Sequence, residues 1–343
     1  METISVIGLD LAKNVFQVHC ADEKGCCLQS KALRRAQLLQ FFAMLKPCLV
    51  GMEACGSSHY WARQLQMLGH DVRLMAPQYV KAYVKTNKND AADAEAICEA
   101  VTRPGMRFVD IKTEEQQAIL LLHRDREGLT RDRTALINRL RATLAEFGVV
   151  TPTGPQRLKH WFQEDYSHYG TALSALVQRQ VERMRTRLRG LDGEIAALDV
   201  EIDLTSRSNE ACQRLEAVPS IGRLTASALV ATVGKGQSFK SGRQFAAWLG
   251  LVPRQHSSGG KSRLLGISKR GDGYLRRMLI HGARAVIRHM NPKRSVTGWL
   301  AQLSARTHHN VVIVALANKL ARIAWAMQYR ERTYSEALVA GQR

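Results

Sequence analysis

From Val177 to Ile202 the apolar side chains fall at Val177, Val181, Met184, Leu188, Leu191, Ile195, Leu198 and Ile202, in steps that alternate between four and three residues. A strict heptad alternation keeps a narrow apolar stripe along one side of a long helix, and such a stripe is buried only against another helix. The same chain offers that second helix. Leu122, Leu129 and Leu136 recur every seven residues, and Leu140, Leu144 and Phe147 continue the stripe. Between the two, Val149–Pro155 with Thr151-Pro152-Thr153-Gly154-Pro155 reads as a loop. The pair can fold back as an antiparallel hairpin, and its seam serves either packing inside the domain or self-association.

The first hundred residues follow a different period. Ser5–Asp10, Val15–Cys20 and Cys27–Lys31 read as strands, the last two joined by a turn at Asp22–Gly25. Helical spacing over Gln37–Leu45, a strand at Cys48–Glu53, a helix at Tyr60–Leu68 and a strand at Asp71–Met75 complete an α/β order. In the last third, Leu215–Gly234 reads as helix, Pro-x-x-Gly turn and small-residue helix, a helix-hairpin-helix-like unit whose turn amides can face a phosphate. Short helices are expected at Arg243–Leu249, Gly273–His289 and Val311–Tyr329, with no strand-rich stretch. The domains expected are therefore 1–110, 111–208 and 209–343.

Charge separates these regions. Residues 1–110 carry a net +2 and residues 111–210 a net 0, whereas residues 211–343 hold 22 basic and 4 acidic side chains, nearly all of the chain's +20. Such a concentration marks a polyanion-binding module, because phosphate neutralisation releases counterions. An anionic membrane is the other polyanion. The most apolar run, Asn310–Met327, is interrupted by Lys319 and Arg322, so no spanning helix is expected. Met1-Glu2-Thr3-Ile4 has no basic leader, and the seven cysteines form no CxxC pair. A cytoplasmic protein with reduced, mostly buried thiols is the expectation.

Four acidic residues have placements that chemistry can use. Asp10 ends the first strand, Glu53 ends a later strand able to lie beside it, and Asp90 and Asp93 sit i, i+3 on one helix face. Converging carboxylates repel unless divalent cations lie among them, and hard oxygen donors suit Mg²⁺ or Mn²⁺. Two such ions activate a nucleophile and stabilise a leaving oxygen in phosphodiester chemistry. Singly, each residue has an ordinary reading: a strand-end turn residue, a solvated helix face, or a partner for Lys88. Together, on an α/β order, they match the ribonuclease-H-like nuclease pattern. A sugar-kinase opening would need a Gly/Thr phosphate loop after Asp10, where Leu11-Ala12-Lys13-Asn14 stands.

In the basic third, Pro253-Arg254-Gln255-His256-Ser257-Ser258-Gly259-Gly260-Lys261-Ser262-Arg263 sets serines beside glycines. Such a loop exposes a hydroxyl, and Arg254, Lys261 and Arg263 can stabilise a phosphoryl transition state. The same residues also make an ordinary flexible turn or phosphate-binding loop. Lys269, Arg270, Arg276 and Arg277 supply backbone contacts to nucleic acid, and Arg243 adds another cation.

Gly8-Leu9-Asp10, Met52-Glu53-Ala54, Asn89-Asp90-Ala91-Ala92-Asp93-Ala94, Ser241-Gly242-Arg243, Gly250-Leu251-Val252-Pro253, Ser258-Gly259 and Lys269-Arg270-Gly271 together resemble transposases of the IS-110 insertion-sequence family, most closely its IS-1111 subgroup. The resemblance spans Ile7 to about Arg330. It implies an N-terminal RuvC-like domain with an Asp-Glu-Asp-Asp tetrad at Asp10, Glu53, Asp90 and Asp93, a coiled coil, and a C-terminal transposase domain with a nucleophilic serine. That serine is Ser258 or its neighbour Ser257.

It further implies donor and target DNA as substrates, an element-encoded non-coding RNA that reads both by base pairing, and a homo-oligomer, dimer or tetramer. Serine and tetrad fall in different domains, so a composite site shared between subunits is expected. Two other functions compete: a metal-dependent junction resolvase or nuclease using the tetrad alone, and a non-catalytic RNA/DNA-binding protein.

Overall fold

The computed structural model describes residues 3–85, 89–170, 172–289, 299–331 and 333–334. The chain divides into two compact units, residues 1–114 with 233–240 and residues 115–232 with 241–343. Both the helical stretch and the basic third contribute to the second unit.

The first unit runs β1 (Val6–Asp10), β2 (Val15–Ala21), β3 (Cys27–Arg34), α1 (Leu38–Ala43), β4 (Leu49–Glu53), α2 (Ser58–Met67), β5 (Asp71–Met75), α3 (Pro77–Val80), α4 (Asp90–Val101) and β6 (Phe108–Val109). Its sheet has the order β3-β2-β1-β4-β5-β6. β1, β2 and β3 form an antiparallel meander, β1, β4 and β5 run parallel, and β6 closes the far edge antiparallel to β5. Parallel neighbours need crossovers, and α1 and α2 supply them.

Alternation along each strand sorts the residues to two faces. Ile7, Leu9, Val50, Met52 and Leu74 join Phe42, Trp61 and Leu65 in one core. Val6 and Leu49 pack on the other face, where Met75 meets Ala96, Ile97, Ala100 and Val101 of α4. On that second face β1 reads Val6, Gly8, Asp10 and β4 reads Leu49, Gly51, Glu53. Each strand thus ends its α4-facing row in a carboxylate.

The second unit contains α5 (Glu114–Ala145), α6 (Pro155–Glu164), α7 (Tyr166–Gly170), α8 (Ala175–Arg207), α9 (Glu210–Glu216), α10 (Arg223–Val233), α11 (Gly242–Trp248), β7 (Pro253–Gln255), β8 (Leu264–Ile267), α12 (Gly273–His289), α13 (Trp299–Arg306) and α14 (His309–Arg330). The heptad stripe lies on α8, and its counterpart on α5. The two helices run antiparallel, as Arg126 pairs with Asp199 and Arg133 with Asp192. Ile137, Leu140 and Leu144 of α5 meet Val181 of α8, and Leu158, Trp161 and Phe162 of α6 complete that core. Leu176, Val200 and Leu204 of α8 stay exposed.

The last third is mainly helical and includes one short antiparallel hairpin, β7 paired with β8. Two residues with positive φ, Gly259 and Gly260, turn the chain there, so the glycines close a ladder and do not merely loosen a loop. Also, α14 is long and apolar enough to cross a bilayer by length and composition, despite Lys319 and Arg322. Its apolar residues are instead buried within the unit, Val312, Ile313, Leu316, Ala317 and Leu320 among them, and α14 packs on α11 and α12.

Candidate functional site

The acidic centre begins with two glycines. Gly8 and Gly51 are partners across β1 and β4. A Cβ on Gly8 would lie 2.0 Å from the Ala94 carbonyl oxygen, and one on Gly51 would lie 2.8 Å from Val101 Cβ. With no side chains between them, α4 rests directly on the sheet. Two residues beyond Gly8 on the same pleat is Asp10, and one turn before Ala94 is Asp90.

Carboxylate oxygens of Asp10, Asp90 and Asp93 consequently lie within 4.8 Å of one another. Asn89 fixes the start of α4, its side-chain oxygen accepting the Ala92 N–H at 2.8 Å. Both helical aspartates thus sit in the first turn, where the positive end of the helix favours negative charge. Asp10 and Asp93 are half-buried and Asp90 is exposed. Neither Asp90 nor Asp93 forms an ion pair among the described residues, and Lys88 lies outside them. Lys85, in the segment before α4, bridges Glu95 at 3.4 Å and Glu99 at 3.1 Å on that helix.

Glu53 ends β4 on the same pleat as Gly51, and it is outside the group of three. The Cys55 thiol registers its proximity: burial pushes that thiol up, and the charges of Glu53 and then Asp10 push it further. Three hard oxygen donors converging beside a fourth carboxylate fit a divalent oxygen-loving cation. Thiol and imidazole donors are absent from the group.

The serines occupy the tip of the β7–β8 hairpin. Ser258 and Lys261 form the closing bridge, with the Lys261 N–H donating to the Ser258 carbonyl at 3.0 Å. Ser257 Oγ accepts from Gln255 Nε2 at 2.9 Å and from the Arg263 N–H at 3.4 Å, so its hydroxyl ties the two strands together. The Ser258 hydroxyl makes no hydrogen bond among the described residues and is exposed.

Arg254, His256, Lys261 and Arg263 are exposed on the same hairpin, and Arg243 is exposed in the first turn of α11. Lys269 and Arg270 are exposed in a loop that meets the 248–250 backbone, where a Cβ on Gly271 would lie 1.8 Å from the Trp248 carbonyl oxygen. Arg276 is held inward: its guanidinium donates to the carbonyls of Leu249 and Arg270, each at 2.9 Å. Arg277 pairs with Glu127.

Sequence reasoning did not single out His123. It is 1% exposed and bonds Tyr274 Oη at 2.9 Å through Nδ1 and Ser227 Oγ at 3.0 Å through Nε2. Burial, then the Arg126 charge, lowers its pKa to about 4, and burial raises that of Tyr274 to about 12. The only trace in sequence is a histidine next to the Leu122 position of the α5 stripe.

Comparison with known proteins places these features in a family. A profile described as Transposase matches residues 7–149, and the profile of the Transposase IS116/IS110/IS902 family matches residues 212–297. The chain is 51% identical to the "Probable family 20 transposase" of Pseudomonas aeruginosa, over 96% of this chain and 98% of that one. It is 42% identical to the transposase for insertion sequence element IS1328 of Yersinia enterocolitica, over 98% of this chain and all (100%) of that one. With the transposase for IS1111A of Coxiella burnetii the identity is 43%, over 97% and 92%.

Proposed function

Because the chain belongs to the IS116/IS110/IS902 family of insertion-sequence transposases, we propose that it cleaves and exchanges DNA strands through Ser258 and a divalent-metal site at Asp10, Glu53, Asp90 and Asp93. The observation that carries the reading is the three-carboxylate group at the meeting of β1 and α4. On this reading the region 1–110 is a RuvC-like, ribonuclease-H-like domain, 111–208 a coiled coil that organises a homo-oligomer, and 209–343 the transposase domain with a helix-hairpin-helix-like unit. An element-encoded RNA guides the chain to donor and target DNA, and the basic third holds both mainly by their backbones.

Asp10, Asp90 and Asp93, with Glu53 at the neighbouring strand end, would hold Mg²⁺ or Mn²⁺. A cation bound there supplies Lewis-acid polarisation of a phosphate oxygen and offsets the clustered negative charge. Ser258 Oγ attacks the scissile phosphorus, forming a serine–phosphate ester and breaking the bond to the leaving strand oxygen. The hydroxyl proton is lost to solvent, and the leaving oxygen takes one up. Attack by the hydroxyl end of the partner strand reverses these steps, restoring the serine and joining the strands. One phosphodiester replaces another, so no external energy source is required. Arg254, Lys261 and Arg263, on the same hairpin, can neutralise the phosphorane charge.

The test is trapping of a denaturant-resistant protein–DNA adduct on DNA carrying the element ends and the guide RNA. Adducts are expected from the unaltered chain with Mg²⁺ and none from Ser258→Ala. Persistence of adducts in Ser258→Ala would remove the serine assignment, and free cleaved ends without adducts would favour hydrolysis at the carboxylates alone.

A further inference from the structure

The second unit holds a cleft of about 1020 Å³ between α5, the turn before α10, and α12. Among the described residues its charged lining is mainly cationic, with Arg126, Arg131 and Arg277 against Glu127. Asp199 occupies Arg126 and Glu127 occupies Arg277, whereas Arg131 is exposed and forms no ion pair among the described residues. Leu224 and Met278 supply an apolar wall.

Two polar groups in the lining are unusual. Ser220, in the turn, has a φ of 78°, left-handed for a residue with a side chain, and its hydroxyl is buried with no hydrogen-bond partner. Gly282 of α12 permits this packing, since a Cβ there would lie 2.6 Å from the Ser220 carbonyl oxygen. Buried orphan hydroxyls are rare enough that a ligand is a natural partner.

The second group is Tyr274. Its hydroxyl bonds His123 Nδ1 at 2.9 Å, and His123 Nε2 in turn bonds the Ser227 hydroxyl at 3.0 Å. The phenol ring at the cleft wall is therefore pinned from behind by a neutral histidine.

We propose that this cleft receives one unstacked nucleotide of a bound nucleic-acid strand, with its phosphate on Arg131, its base against Tyr274 and the Leu224–Met278 wall, and a polar edge on the Ser220 hydroxyl. The proposal rests on the reading of the chain as a nucleic-acid enzyme and adds a site whose lining includes neither the four carboxylates nor the hairpin serines. An aromatic ring beside an apolar wall and an exposed cation is the combination that holds single-stranded bases without regard to sequence. The volume is at the upper end of small-ligand sites, enough for a whole nucleotide.

The experiment uses the full chain with short oligothymidylate and oligouridylate strands carrying a photoreactive uracil, read by peptide mapping of adducts and by fluorescence anisotropy. Adducts are expected on the Tyr274–Met278 or Ser220–Leu224 peptides, and the strand that forms them shows whether DNA or RNA is the source. Filling the cleft with Met278→Trp is expected to lower single-strand affinity about tenfold, in the range of one lost base stack. Arg131→Ala, a surface change that spares folding, should reduce the slope of log affinity against log salt by about 0.7, the loss of one phosphate contact.

Adducts confined to other peptides, together with an unchanged salt slope for Arg131→Ala, would overturn the cleft assignment and leave the transposase reading standing. Failure of the unaltered chain to bind any nucleic acid would overturn both.

Discussion

Gly8 of β1 and Ala94 of α4 meet backbone to backbone, with 2.0 Å between a Cβ placed on the glycine and the Ala94 carbonyl oxygen. No rotamer relieves that overlap, so any side chain at Gly8 must push α4 off the sheet. The same helix carries Asp90 and Asp93 toward Asp10. Gly8→Ala is therefore expected to cost about 1–3 kcal/mol, as overpacking does, and to weaken cation binding by separating the carboxylates. Thermal melting with and without Mn²⁺ reads both effects. Gly56→Ala, where a Cβ meets nothing within 4 Å, serves as the control and should change neither.

Three carboxylates within 4.8 Å oppose folding when no cation is present. Asp90→Asn and Asp93→Asn should accordingly raise the melting temperature in chelator while abolishing the rise that Mg²⁺ or Mn²⁺ gives the unaltered chain. The relief is on the order of 1 kcal/mol, since solvent reaches the group. A variant that melts lower in chelator and still gains stability from the cation would show the aspartates to be ordinary cap residues.

Much of this centre was legible in the chain because strand periodicity and a capped helix start are local signals. Asp10 and Glu53 end apolar runs, and Asn89 stands one residue before the helix it caps. The closeness of α4 was not legible, because Gly8 and Gly51 lie 43 positions apart and become partners only through strand pairing. β6, two residues long, has no period to read. The hairpin around Ser258 was hidden for the opposite reason: Pro253–Gln255 and Leu264–Ile267 are short and exposed, without the alternation that burial imposes. His123 was masked by the leucine stripe around it, since its role depends on Tyr274 and Ser227, over a hundred residues away.

His123 gives the fold a definite response to acid. Its folded pKa of about 4 lies below the unfolded value of 6.5, because burial and Arg126 both disfavour the proton. The unfolded chain thus binds a proton that the folded chain refuses, and stability falls as the pH drops from 6.5 toward 4. The full effect is roughly 3 kcal/mol from the pKa difference. Denaturant unfolding at pH 7 and pH 5 should show the loss. His123→Gln is expected to be less stable at pH 7 and to have a flatter pH dependence. An unchanged slope would mean that other groups carry the acid response.

The two serines at the hairpin tip can be separated by what each hydroxyl holds. Ser257 Oγ accepts from Gln255 and from the Arg263 N–H, clamping β7 to β8. Ser258 sits at the first corner of the turn, before Gly259 and Gly260 at φ 55° and 75°. Removing the Ser257 hydroxyl loosens the platform and leaves the proposed nucleophile in place, so Ser257→Ala should slow adduct formation several-fold without abolishing it. Gly260→Val should behave alike, because a β-branched residue resists the left-handed conformation that this turn requires. Gln255→Ala removes one of the two donors to Ser257 and should act in the same direction but more weakly. Ser258→Ala alone should give no adduct at any time of incubation. Loss of adducts in Ser257→Ala with their survival in Ser258→Ala would move the nucleophile one residue toward the N-terminus and make Ser258 the turn residue.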